Sequence, residues 1–178
     1  MLPGLQSEAM KIFPLHRIRL STAATAAAAL FALTTHATTP TEQEVLAPII
    51  AMFAGMTHRD AQAITAQTMP KGSMILMRDG KPDQMTFEDF AARVGKPSKA
   101  QIEERIHDPL IRIDNDLAVV WAPFVFLVNG KVDHCGTDLF NLIHVDGHWL
   151  IASVADTGRK TCDADPLAAQ PTAQPAAN

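Results

Sequence analysis

His134 and Asp138 stand four residues apart in the apolar segment Lys131–His144, and what surrounds them decides what chemistry they can do. Residues at even spacing on a strand share a face, and about 13 Å separates two positions four apart, too far for a direct dyad. Such a pair can instead flank a bound molecule. Carboxylates and imidazoles set in an apolar wall have shifted pKa values and serve as acids and bases. Asp138 is therefore the candidate general base, and His134 the candidate acid or oxygen-polarising donor. Each also has a structural alternative: a hydrogen bond from the Trp121 indole or a backbone amide for Asp138, and a polar rim position for His134.

The turns that place these residues are Asn129–Gly130 and Asp146–Gly147, dipeptides whose positive φ matches the twist of antiparallel strands. They join Leu117–Val128, Lys131–His144 and His148–Asp156 into a meander. With two-residue turns throughout, Val125 faces His134, Trp121 faces Asp138 and Phe140 faces Ser153. One face then carries Trp121, Val125, His134, Asp138, Phe140 and Leu142, and the other carries Phe124, Phe126, Cys135, Leu139 and Ile143. A one-residue bulge swaps these assignments beyond it. The first face supplies the expected ligand contacts Trp121, Val125 and Phe140, joined by Met77 and Arg78 at the end of an earlier strand. Arg78, Arg112 and Asp156 are secondary candidates, Arg78 either reaching a ligand carboxylate or phosphate or standing as a solvated strand end, the default for it. Met69, Met74 and Met77 supply adaptable apolar surface. Both faces of the meander are apolar, so the second needs a cover: a homodimer burying Phe124, Phe126 and Leu139, or a further segment of the same chain.

Three helices precede the meander. Thr41-Glu42-Gln43-Glu44 matches a capping box, followed by Val45, Ile49, Met52, Phe53 and Met56 at helical spacing, with Pro48 expected to kink the helix or delay its start. Asp60 caps a second, shorter helix, and Thr86-Phe87-Glu88-Asp89 opens a third that Gly95 and Pro97 end. Gly72–Met77 reads as a strand closing at Asp79–Gly80, and Gln101–Asp114 as strands broken at Pro109. Helices first and a long meander last predict an α+β fold with the helices on one face of a strongly curved sheet.

The first 37 residues read as an export signal: Lys11, Arg17 and Arg19 precede the apolar run Leu20–Leu33, which closes at Thr35-His36-Ala37. An uncleaved anchor is the alternative. Residues 38–165 form one expected domain and 166–178, rich in Ala, Gln and Pro, an expected disordered tail. Removing Lys11, Arg17, Arg19 and Glu8 from the 15 basic and 19 acidic residues leaves 12 against 18, a formal charge of −6. That balance disfavours nucleic acid and, after signal cleavage, a membrane surface as partners. A periplasmic or secreted location allows Cys135 and Cys162 to form a disulfide, while the sequence leaves two unrelated thiols equally open. No paired metal-ligand spacing, phosphate-binding glycine loop or nucleophile elbow occurs, so no metal and no cofactor is expected.

In the order Arg59-Asp60, Leu117-Ala118-Val119-Val120-Trp121-Ala122-Pro123, Gly130, His134-Cys135-Gly136-Thr137-Asp138 and Asp146-Gly147-His148-Trp149, the chain resembles the nuclear transport factor 2-like superfamily. Within it, the chain resembles the SnoaL-like and putative lumazine-binding group, over about residues 42–157. The resemblance implies a cystatin-like cone of helices and bent sheet around an apolar pocket, commonly dimerising through the sheet. Ketosteroid isomerases and scytalone dehydratases resemble this fold but use tyrosines to polarise oxygen, and this chain has none. Fold does not fix function. The expectation is an exported domain that binds a small, mainly apolar molecule, with Trp121 stacking on it and His134 and Asp138 orienting its polar groups. The alternatives are an isomerase, dehydratase or hydrolase using Asp138 as base and His134 as acid or oxygen-polarising donor, and a purely structural or protein-binding domain.

Overall fold

The computed structural model describes residues 41–162, so the expected export signal over 1–37 and the tail over 166–178 lie outside the described residues. Helix α1, Glu42–His58, begins with the capping box: Thr41 Oγ1 accepts from the Glu44 amide at 3.2 Å, and the Glu44 carboxylate accepts from the Thr41 amide at 2.6 Å. Pro48 lies inside α1 rather than delaying its start. The helix buries Val45, Ile49, Met52, Phe53 and Met56, each stabilising the fold by about 1.5–3 kcal/mol on area grounds. Arg59 ends α1 in the left-handed region, at φ 54°. Its guanidinium donates to the carbonyls of Val94 at 2.9 Å and Ala100 at 2.8 Å, which ties α1 to the end of the third helix. Asp60 caps α2, Ala61–Thr65, and Thr86 caps α3, Phe87–Val94, each through a side-chain oxygen.

Seven strands form one sheet: β1 Thr68–Arg78, β2 Lys81–Thr86, β3 Ile102–Ile106, β4 Leu110–Asp114, β5 Leu117–Val128, β6 Lys131–Val145 and β7 His148–Arg159. Their order is β2-β1-β7-β6-β5-β3, and β4 pairs with the first half of β5 while β3 pairs with its second half. All pairings are antiparallel except β1 with β7. That parallel contact closes the first strand onto the last and leaves no turn in the sequence to announce it. Three of the four two-residue hairpin turns have positive φ at both central positions, Asp79–Gly80, Asn129–Gly130 and Asp146–Gly147, whereas in Asn115–Asp116 between β4 and β5 only Asn115 does. Positive φ at both positions is the type I′ geometry expected of Asn-Gly and Asp-Gly.

Two register shifts correct the expected faces. From the Asn129–Gly130 turn Leu127 faces Val132, but Phe126 faces His134, so β6 carries an extra residue at this step. Beyond it Val125 faces Cys135, Trp121 faces Leu139 and Ala122 faces Asp138, each moved by one from the bulge-free expectation. A second shift, between Asn141 and Leu142, pairs Phe140 with Val154 and Asp138 with Asp156. The interior face therefore carries Val120, Ala122, Phe124, Phe126, His134, Asp138 and Phe140. Trp121, Val125 and Leu139 fall on the other face, and Phe124 and Phe126 are not available to a homodimer.

The core lies between the helices and this interior face, where Phe53 meets Phe140 edge-on at 6.1 Å between ring centres. On the outer face Val125 and Leu127 pack with Cys135, which is disulfide-bonded to Cys162 with Cα atoms 5.8 Å apart. The bond fastens the segment after β7 to the middle of the sheet. It closes a loop of sequence separation 27, for which chain entropy gives roughly 3–4 kcal/mol. Reduction, or Cys162→Ser, is expected to lower the melting temperature by several degrees without changing the far-ultraviolet circular dichroism; an unchanged melting temperature would show that the bond does not constrain the unfolded chain.

Candidate functional site

Four strands bring polar side chains into one apolar space. Arg78 ends β1, Asp156 lies on β7, Asp138 on β6 and Glu104 on β3, and all four line a cavity of about 160 Å³ between the helices and the sheet. The rest of its wall is mostly Phe and Met: Met52, Phe53 and Met56 from α1, Phe90 from α3, and Phe124, Phe126 and Phe140 from the sheet.

Arg78 and Asp156 form a bidentate pair, with both guanidinium nitrogens 2.6 Å from the two carboxylate oxygens. The Met77 amide adds a third donor to Asp156 at 3.1 Å. Fork-to-fork geometry of this kind is among the strongest polar contacts, and it fixes the guanidinium plane as well as its charge. Gly158 makes room for it, because a Cβ there would lie 2.9 Å from Nη1 and 3.1 Å from Cζ of Arg78. Gly136 answers a closer approach: its Cβ would fall within bonding range of the Thr157 backbone. Neighbouring strands can therefore draw together at Gly136 and Gly158.

Glu104 and Asp138 behave differently. Asp138 is 2 % exposed, and its Oδ2 is buried without a protein donor. Burial pushes its carboxyl well above the usual range, and the neighbouring Glu104 raises it further through charge and a carboxyl–carboxyl hydrogen bond. Burial also pushes Glu104 up, to about 7; its hydrogen bond with Asp138 works the other way, Asp156 raises it and Arg78 lowers it. Glu104 is part-buried and lines the same cavity. Two acceptors cannot bond to each other as anions, so the pair shares a proton. It rests on the deeper Asp138 and leaves Glu104 as the side that ionises near neutrality.

His134 also lines the cavity, stacked on Phe126 at 4.8 Å and edge-on to Phe124 at 5.7 Å. Its Nδ1 lies 2.9 Å from Asp133, which in turn accepts from Lys160 at 2.9 Å. These two donors, Lys160 first, hold the Asp133 carboxyl below its ordinary value.

The structure thus brings Asp138, His134, Phe140, Arg78 and the secondary candidates Asp156 and Met74 to one cavity. Three expected contacts do not reach it. Trp121 stands 51 % exposed on the outer face, and Val125 packs there with Cys135, both because of the extra residue in β6. Met77 is adjacent to Arg78 on a strand, so the two cannot share a face; Met74, Leu76 and Arg78 take the cavity side. Arg112 is exposed and donates to the Ile111 carbonyl. Glu104 was not anticipated. The signal lay in Ile102-Glu103-Glu104-Arg105-Ile106, where period-two reading puts Glu104 on the same face as Ile102 and Ile106.

Helices on a bent, mostly antiparallel sheet around an interior cavity define a cystatin-like fold of the nuclear transport factor 2-like class. Solved structures agree. An NTF2-like protein from Cytophaga hutchinsonii superposes with a TM-score of 0.58 at 17% identity, covering 68% of this chain and 100% of that one. A cystatin-like-fold protein of unknown function from Nostoc punctiforme gives 0.56 at 8% identity, covering 67% and 91%. An NTF2-like protein from Streptomyces avermitilis, described as a "putative dehydratase", gives 0.56 at 13% identity, covering 67% and 96%. At these identities the likeness is one of fold. The chain belongs to the family described as "Putative lumazine-binding", whose model matches residues 40–155. No curated protein matches the sequence.

The raised carboxyls carry a pH signature. Folded Glu104 holds a proton that the unfolded chain gives up above its ordinary value of 4.5, so its contribution is full below that value and lost as pH rises through about 7. Glu104→Gln is expected to remove this slope and to stabilise the protein relative to wild type by on the order of 2 kcal/mol at about pH 8, with little gain at about pH 5. Denaturant melts at both pH values check it; a Gln variant equally or less stable at the higher pH would contradict the assignment.

Proposed function

We propose that this domain is an exported binding protein for a small, mainly apolar molecule, held in the cavity with its polar end at the Glu104–Asp138 pair. The observation that carries this reading is the cavity itself: about 160 Å³ walled by Phe and Met, with a carboxyl oxygen that no protein group satisfies. Interiors normally close on such a group or supply a donor, so a space left beside it suits a ligand. Export is supported by the Cys135–Cys162 disulfide, which persists in an oxidising compartment such as the periplasm or the exterior. The family's description names lumazine, which makes lumazine the first compound to titrate. Native mass spectrometry of the mature protein is expected to reveal a bound small molecule or to register saturable binding on titration. An interior that takes up neither lumazine nor any compound of a small aromatic panel would end this reading.

A second reading is favoured by one observation, the carboxyl raised to about 7 inside the cavity. A group poised there can take and return a proton at neutral pH, as an isomerase, dehydratase or hydrolase requires. In that case Glu104 is the base and Asp138 the proton-holding acid, with His134 at the wall as a further donor. This redistributes the roles expected from the sequence, because the deeper carboxyl keeps the proton. Any turnover found by screening should follow a pH profile with an inflection near 7 that Glu104→Gln abolishes; retention of the inflection would exclude this base.

The outer face supports a homodimer through the sheet. Trp121, Leu110 and Leu117 are each about half exposed there, and Leu110 pairs with Trp121 across β4 and β5. A contiguous apolar surface on a folded domain marks an interaction site. Sedimentation is expected to give a dimer at micromolar concentration and a monomer for Trp121→Arg; a monomeric wild-type protein would leave this face unexplained.

A further inference from the structure

We infer that the polar end of the cavity is built for a cation: the ligand it takes is a small aryl or alkyl amine, bound as its ammonium between Asp138, Glu104 and the surrounding phenylalanine rings. This rests on the proposal that the cavity is a binding site and adds the charge of what it binds. The charge balance of the wall is the first argument. Glu104, Asp138 and Asp156 line one cavity with only Arg78 as a fixed cation, and Arg78 is already committed to both oxygens of Asp156. Two carboxyls are left without a counter-charge.

The second argument is the unpartnered Oδ2 of Asp138, on a side chain 98 % removed from solvent at the cavity wall. In the empty site a proton shared with Glu104 offsets this deficit. A ligand N–H⁺ placed there does the same by donating to the carboxylates directly. The shared proton then leaves to solvent, and the ammonium keeps its own protons, so one positive charge replaces another.

The third argument is the wall. Phe124, Phe126, Phe140, Phe53 and Phe90 surround the space, and ring faces attract a desolvated ammonium. An anion meets the reverse: uncompensated carboxylates and the negative faces of the rings. A metal ion is not favoured, because the described residues contain no cluster of three or more His, Cys, Asp or Glu placed to hold one.

Isothermal titration of the mature protein with benzylamine, benzyl alcohol and benzoate, equal in shape and different in charge, tests the inference. Benzylamine is expected to bind about tenfold or more tighter than benzyl alcohol, and benzoate the weakest of the three. Benzylamine affinity should rise from about pH 6 to about pH 8 as Glu104 gives up its proton, with Asp138, Arg78, Asp156 and His134 the other ionisable groups facing it. Asp138→Asn should remove most of the preference for the amine, read as the ratio of benzylamine to benzyl alcohol affinity within that variant. Benzyl alcohol or benzoate binding as tightly as benzylamine would overturn the cation and leave the cavity reading standing. Absence of binding by all three, and by lumazine, would take down both. The comparison within wild-type protein does not depend on whether the Asn variant folds.

Discussion

The extra residue that β6 carries opposite the Phe126–Leu127 step decides which side chains enter the molecule. Side chains alternate along a strand, so one inserted residue exchanges the two faces for everything beyond it. Here the exchange puts Phe124 and Phe126 inside with His134 and Asp138, and sends Trp121 and Val125 outward. The second shift, in β7, then brings Asp156 beside Asp138 instead of Ala155. Without these two irregularities the carboxyl cluster would be dispersed over both faces of the sheet. The curvature they impose is also what wraps the sheet around the helices and leaves space between them.

Around that space the polar groups divide into a settled pair and an unsettled one. Arg78 and Asp156 satisfy each other through two parallel hydrogen bonds, with a backbone amide as the third donor. Glu104 and Asp138 have only each other, and burial makes them hold a proton rather than two charges. The complete pair keeps its charges with Arg78 partly open to solvent, whereas burial forbids the second charge on the pair that is not complete.

Local chemistry announced much of this. The Thr41, Asp60 and Thr86 caps, the three positive-φ turns and the period-two strands each specify their own residues, and the family resemblance arranged them. Three things depended on distance in space. The parallel pairing of β1 with β7 joins residues such as Ser73 and Ser153, far apart in sequence, without a turn between them, so nothing local marks it. A bulge needs no special residue, and the Lys131–His144 segment shows no Gly or Pro at Val132 or Asp133 to betray the extra one. Glu104 sits in a charged run, Glu103-Glu104-Arg105, where alternation had to be weighed against an ordinary solvated strand. Asp138 was recognisable because its neighbours are apolar; its partner was not, because its neighbours are charged.

The shared proton between Glu104 and Asp138 reaches beyond the cavity, because it makes folding a reaction that exchanges protons with the medium. At neutral pH the unfolded chain carries both groups ionised, whereas the folded chain withholds at least part of that charge. Each unfolding event therefore discharges protons into the buffer, and the heat recorded during a thermal melt contains the buffer's own enthalpy of ionisation. Two laboratories melting the same protein at the same pH, one in phosphate and one in an amine buffer, would obtain different unfolding enthalpies from identical molecules.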